Sequence, residues 1–149
     1  MDQTSPAALH ADVHRLLSAM YEDYLRGDPA AIDARLAEDV TIFDSAADPL
    51  VTGLDELAAL RRSRASGPSD PPSPAWTETA LTIVDLGVRE IGGVVVATWW
   101  LRVDGADAQG AAVSPELSRN TAVLRRDEDS ALRIAHLHED VRREAGPLV

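Results

Sequence analysis

The sequence predicts an α+β fold: three N-terminal helices packed on an antiparallel sheet, with residues 1–149 forming a single domain. Three observations lead to it. Helical signals fill the first part of the chain, strand signals joined by tight turns fill everything after residue 76, and the two kinds do not alternate as they would in a parallel α/β fold.

Leu9, Val13, Leu16, Leu17, Met20 and Tyr24 recur at intervals of three and four, with Asp12, Arg15, Glu22 and Arg26 on the other side, so the first element is an amphipathic helix. Gly27 stops it with a left-handed turn, Asp28 caps and Pro29 opens a second, shorter helix carrying Ile32 and Leu36. Val40-Thr41-Ile42-Phe43 is β-branched and aromatic and predicts a short strand over 39–44, followed by a loop over 45–49. Gly53-Leu54-Asp55-Glu56 opens a third helix with acids in its first turn, and Arg61, Arg62 and Arg64 complement the dipole in its last. The four prolines of segment 66–74 exclude regular structure and predict a surface loop. A strand over 76–90 then meets Gly92-Gly93, a two-residue hairpin signal, and the chain returns through 94–101. A glycine- and alanine-rich connection over 104–114 leads to a strand over 116–126, an acidic turn at Asp127-Glu128-Asp129 and a last strand over 131–142.

Composition narrows the function. A chain of 149 residues with 45% apolar and 26% charged side chains is of ordinary domain size and buries about 70% of its unfolded surface in one core. No stretch approaches the roughly 18 apolar residues of a membrane helix. The start, Met1-Asp2-Gln3-Thr4-Ser5-Pro6, has neither the basic nor the apolar part of a secretory signal, so a cytoplasmic location is expected. Absence of cysteine removes disulfides, thiolate nucleophiles and cysteine metal sites together. The net charge of −11, with arginine as the sole cationic side chain, repels phosphate backbones, and nucleic acid is excluded as a partner. There is no glycine-rich phosphate loop, so no nucleotide cofactor is implied.

Segment 94–101 is apolar on both faces of its pleat, although a sheet covered on one side by helices should alternate. A second copy of the chain is the economical cover for the other side. A homodimer through the outer face of the sheet is expected.

The order of these parts resembles the nuclear transport factor 2-like superfamily, in which a cone-shaped sheet wraps a helical layer and leaves a pocket. The residues that carry the resemblance are Tyr24-Leu25-Arg26-Gly27-Asp28, Gly53, Arg119-Asn120-Thr121 and His136-Leu137-His138, and they point to its SnoaL-like and calmodulin-kinase association-domain-like branches. That superfamily holds isomerases, cyclases, dehydratases and purely structural association domains, so membership implies the fold without selecting an activity. Asp44 resembles in position the general base of the ketosteroid isomerases. Ser45 follows it where those enzymes have proline, and Met20, with Tyr21 adjacent, stands near the place of their helical tyrosine.

Candidate site residues follow. His136 and His138 lie two apart on a strand and share a face with Asp140, a row suited to acid–base work near neutral pH, with the alternative that one histidine packs in the core with a satisfied hydrogen bond while the other faces a loop or partner; two histidines and one acid fall short of a metal ligand set, so no metal is expected. Arg119, charged in the middle of an apolar strand, is a candidate to fork onto a carboxylate or carbonyl in the pocket, with an internal ion pair as the equal alternative. Asn120 then points the other way. Trp99 and Trp100 face opposite sides of the sheet, one lining the cone and one the dimer contact. The expected site is thus Asp44, His136 and His138 for catalysis, with Tyr24, Trp76, Trp99 and Arg119 for binding. Two functions stay open: a pocket enzyme of the isomerase, cyclase or dehydratase kind acting on a small acidic or enolisable compound, and a non-catalytic association or ligand-sensing module.

Overall fold

A computed structural model describes residues 5–66 and 76–147. Helix α1 spans Pro6–Arg26, with Ser5 as its N-cap and Gly27, in the left-handed region at φ 68°, as its stop. Helix α2, Pro29–Asp33, is capped by Asp28 and is shorter than expected. Leu36 belongs instead to strand β1, Leu36–Phe43, where it is buried against Ile134. Strand β2, Val51–Thr52, had no sequence signal, and α3 occupies Gly53–Ser66. The expected proline-rich loop, apart from its first residue, lies outside the described residues.

Strands β3, Trp76–Ile91, and β4, Val94–Asp107, form the long hairpin, turning at Gly92 and Gly93, whose φ values of 56° and 87° are those of a type I′ turn. Strand β4 runs six residues past the expected end. After the short β5, Val113–Ser114, come β6, Glu116–Arg126, and β7, Leu132–Arg143; β8, Gly146–Pro147, pairs with β5. The main sheet has the order β2-β1-β7-β6-β4-β3 and is antiparallel except where β1 runs parallel to β7. Register shifts insert extra residues on β1, β3 and β7 that bend and twist the sheet, which is how it curves around α1.

The core lies on the concave face. Val13 and Leu17 of α1, both with no exposed surface, pack with Val40, Ala97, Ala122, Leu124 and Ile134; a leucine so placed contributes about 1.5–3 kcal/mol through burial. Asp23, also buried, accepts from Arg26 and from Arg35 at 2.8 Å, tying the end of α1 to the start of β1. None of the described helices is long and apolar enough to cross a membrane.

Candidate functional site

The pleat decides which residues meet. Along β4 the buried row is Val95, Ala97, Trp99, Leu101 and Val103, and along β6 it is Ser118, Asn120, Ala122 and Leu124. Register pairs Trp99 with Asn120 and Asn120 with Glu139, so these three lie side by side on the concave face. Trp100, Arg119 and Asp140 form the matching trio on the convex face.

Arg119 therefore does not line the cone; Asn120 takes the inward position, the reverse of the expected arrangement. The histidines also face outward, for a different reason. Counting in twos from buried Ile134 would carry His136 and His138 inward, but Ile134 pairs with Leu124 while His136 pairs with Val123, so Ala135 is an extra residue that inverts the alternation. Beyond this bulge Leu137 and Glu139 point inward. On the convex face His136 shares a 2.7 Å hydrogen bond with Thr41, and His138 lies 3.4 Å from Asp140, with Phe43 against both rings. The shared face of His136, His138 and Asp140 is as expected, but it is not the pocket's. Among the described residues no group of three or more His, Asp or Glu is arranged to hold a metal ion.

The other candidates gather at the open end of the cone. Trp99 donates its indole N–H to the Tyr21 hydroxyl at 3.0 Å, fixing the last turns of α1 over the sheet. Trp76 lies against β4 at Gly105, where an added Cβ would overlap its ring; only glycine admits the indole there. Tyr24 donates to Glu78 at 3.3 Å, and a cleft of about 380 Å³ opens between Tyr24, Leu25, Trp76, Thr77 and Glu78. Asp44 sits at the end of β1, where its Oδ1 accepts from Arg64 at 2.9 Å and from the Ala46 amide at 2.8 Å. Beside it Ser45 donates to Glu139 at 2.9 Å.

Electrostatically this end is acidic. Burial pushes the Glu139 carboxyl above the usual carboxylate range, and the charges of Asp44 and Glu78 push it further, against the Ser45 hydrogen bond. Glu116 is raised by burial and by the charges of Glu139, Glu78 and Glu144. Burial and the neighbouring Glu78 push the Tyr24 hydroxyl up to about 12, and burial also raises Tyr21. A carboxyl held more basic than usual in a sheltered site is the type of group that exchanges protons with a ligand. Next to it is a second departure from routine packing. Asn120, 3% exposed, spends its amide hydrogens on Ser118, and among the described residues its buried Oδ1 has no donor.

Of the expected site, the structure thus brings Asp44, Tyr24, Trp76 and Trp99 to one end of the cone and leaves Arg119, His136 and His138 on the far side of the sheet. Glu78, Glu116, Asn120 and Glu139 were missed. Glu78, Asn120 and Glu139 each stand next to other polar residues, and only the pairing of strands tells which of two neighbours turns inward; Glu116 lies at the first position of its strand, where no alternation has yet begun.

The chain matches the SnoaL-like domain family over residues 13–141. No curated protein matches it. Among solved structures it is similar to ActVI-ORFA from Streptomyces coelicolor, with TM-score 0.73, 17% identity, and coverage of 90% of this chain and 97% of that one. The association domain of C. elegans CaMKII has TM-score 0.72 and 16% identity over 93% and 99%. A ketosteroid isomerase-like protein from Erwinia carotovora atroseptica has TM-score 0.65 and 17% identity over 90% and 96%. At these identities the likeness is one of fold, and both branches expected from the sequence are represented. The helical layer, the curved six-stranded sheet and the matched span together make this chain a member of the SnoaL-like domain family.

Proposed function

We propose that the chain is a homodimeric small-molecule pocket protein that performs acid–base chemistry on an enolisable compound at the open end of its cone. The observation that carries this reading is the unpaired, buried Asn120 Oδ1 beside Glu139 and Trp99. A polar group left unsatisfied costs about 1–3 kcal/mol, and such a cost is tolerated where a ligand supplies the missing partner. Glu139 is the proton-transfer group, its raised carboxyl making it a better base than an ordinary glutamate. Asp44, with Oδ1 held by Arg64 and Ala46, is left its other oxygen for the same work. Tyr21, Tyr24, Trp76 and Trp99 shape the walls. A preference for acidic ligands rested on Arg119 and has no support at a mouth lined by carboxylates.

Proton abstraction is tested directly by incubating the protein in heavy water with a panel of β-keto esters and enones. Deuterium should enter the carbon next to the carbonyl faster than in buffer, and Glu139→Gln should abolish the gain. The absence of catalysed exchange across the panel would rule the enzyme reading out.

The dimer is supported by exposed apolar side chains on the convex face, among them Trp100 at 36% and Phe43 at 41%, with Val84 beside Trp100. Sedimentation should give twice the chain mass, and Trp100→Glu should return it to one. The same face, together with a structural neighbour named an association domain, favours the second reading, a module whose purpose is assembly.

A further inference from the structure

If the open end of the cone is a ligand pocket, as just proposed, its charge and surfaces narrow what it takes. Glu78, Glu116 and Glu139 approach from three different strands, and the charges that act on Glu116 and Glu139 are those of other carboxylates. Two arginines at this end are engaged by acids of their own, Arg64 with Asp44 at 2.9 Å and Arg26 with Asp23. Residues 67–75 contain neither arginine nor lysine. The C-terminal end of α1, which carries partial negative charge, adds the same sign. Like charges held together in a partly desolvated place raise the free energy of the empty site, and a counter-charge removes that cost.

Two surfaces ask for the same partner independently of net charge. The cleft between Tyr24, Trp76 and Glu78 sets two aromatic rings around a carboxylate, an arrangement that attracts an ammonium group by ring and ion together. On the inner face of the same sheet, Asn120 has already given its own hydrogens to Ser118, so among the described residues what its buried Oδ1 lacks is a donor. A carboxylate, an aromatic face and an amide oxygen are all acceptors. A charged N–H group satisfies each of them, while an anion satisfies none.

We infer that the mouth binds an organic cation: a primary or secondary ammonium on a small apolar or aromatic body, seated against Tyr24 and Trp76 with its charge toward Glu78 and Glu139 and an N–H directed to Asn120. The cleft's volume, about 380 Å³, is near the lower end of small-molecule sites, which suits a body of one ring rather than several.

The test compares three probes that share a similar body on the full chain at neutral pH: phenethylamine, phenethyl alcohol and phenylacetate. Titration calorimetry reads affinity, and nitrogen-edited NMR reads the Asn120 amide and the indole N–H signals. The amine should bind at least about ten-fold tighter than the alcohol, the carboxylate should not bind, and Glu78→Gln or Glu139→Gln should each weaken the amine about ten-fold while leaving the alcohol unchanged, as expected of a charge-assisted contact. Both glutamines keep the shape of the side chain they replace, and circular dichroism verifies the fold. An alcohol that binds as tightly as the amine, or glutamine variants that bind the amine unchanged, overturns the cation and leaves the pocket standing. If no probe moves the Asn120 or Trp99 signals, the pocket itself falls with it.

Discussion

At the closed end of the cone the inner face of the sheet presents Val95, Ala97, Leu124 and Ile134 to Val13 and Leu17; at the open end the same strands present Gly105, Glu116, Asn120 and Glu139 beneath Tyr21 and Tyr24. The same strands run from one end to the other, with the bulge at Ala135 between them, and α1 spans both. The difference lies in the side chains that this register turns inward. Where the closed end matches apolar surface to apolar surface, the open end gathers repelling carboxylates and leaves an acceptor unpaired. Stability is made at one end and given up at the other, the contrast on which the proposed site rests.

Breaking the closed end should have the largest effect. Leu17→Ala removes a side chain with no exposed surface and should cost about 2–5 kcal/mol, a large part of the roughly 5–15 kcal/mol that holds a domain together. Urea unfolding measures this, and a loss below about 1 kcal/mol would mean that the core is looser than its burial indicates.

At the open end the equivalent change should go the other way. Asn120→Leu combined with Ser118→Ala removes the orphan oxygen together with the Ser118 hydroxyl that accepts from the Asn120 amide, and should leave stability unchanged or raise it by about 1 kcal/mol. Ligand affinity should fall in the same variant. A double variant markedly less stable than the parent would show that Asn120 is there for packing, and the contrast between the ends would shrink.

Glu139 sharpens the comparison through pH. Between the ordinary carboxylate value and its raised one the folded chain holds a proton that the unfolded chain has released, so stability falls as pH rises through that window. The penalty is absent below the window and complete above it. Glu139→Gln should therefore raise the melting temperature at neutral pH and leave it unchanged in acid, unlike a substitution that merely improves packing. The groups facing it, Asp44, Glu78 and Glu116 with Tyr21 and Tyr24, bear one sign when ionised, and the Arg64 guanidinium near Asp44 and Tyr24 bears the other. A gain of equal size at all pH values would refute the electrostatic account.

The smallest effect is expected on the convex face. Arg119→Ala changes an exposed side chain and should alter chain stability by no more than about 0.5 kcal/mol, with no change in binding at the cone mouth. A ten-fold loss of affinity would return Arg119 to the site.

Much of this fold is legible in short runs of residues. The spacing from Leu9 to Tyr24, Gly27 with Asp28 and Pro29, and Gly92-Gly93 between two apolar runs each encode a local conformation, and each appears where those residues put it. Leu36 was misassigned to a helix because a single apolar residue fits either period; pairing with Ile134 made it a strand. Strand β2, two residues long, exists only because β1 offers it an edge.

For the site, the sequence by itself determined which side chains travel together: His136 with His138 and Asp140, Trp99 opposite Trp100, Arg119 opposite Asn120. That follows from the two-residue repeat of a strand, which is local. It did not determine which member of each pair turns inward, because β6 reads as half-polar in both phases and the extra residue at Ala135 reverses the phase of β7 partway along. Only tertiary structure, through the register of β6 against β4 and β7, decided that Asn120 and Glu139 face the cone and that Arg119 and the histidines face away, since a single inserted residue moves every following side chain to the opposite face.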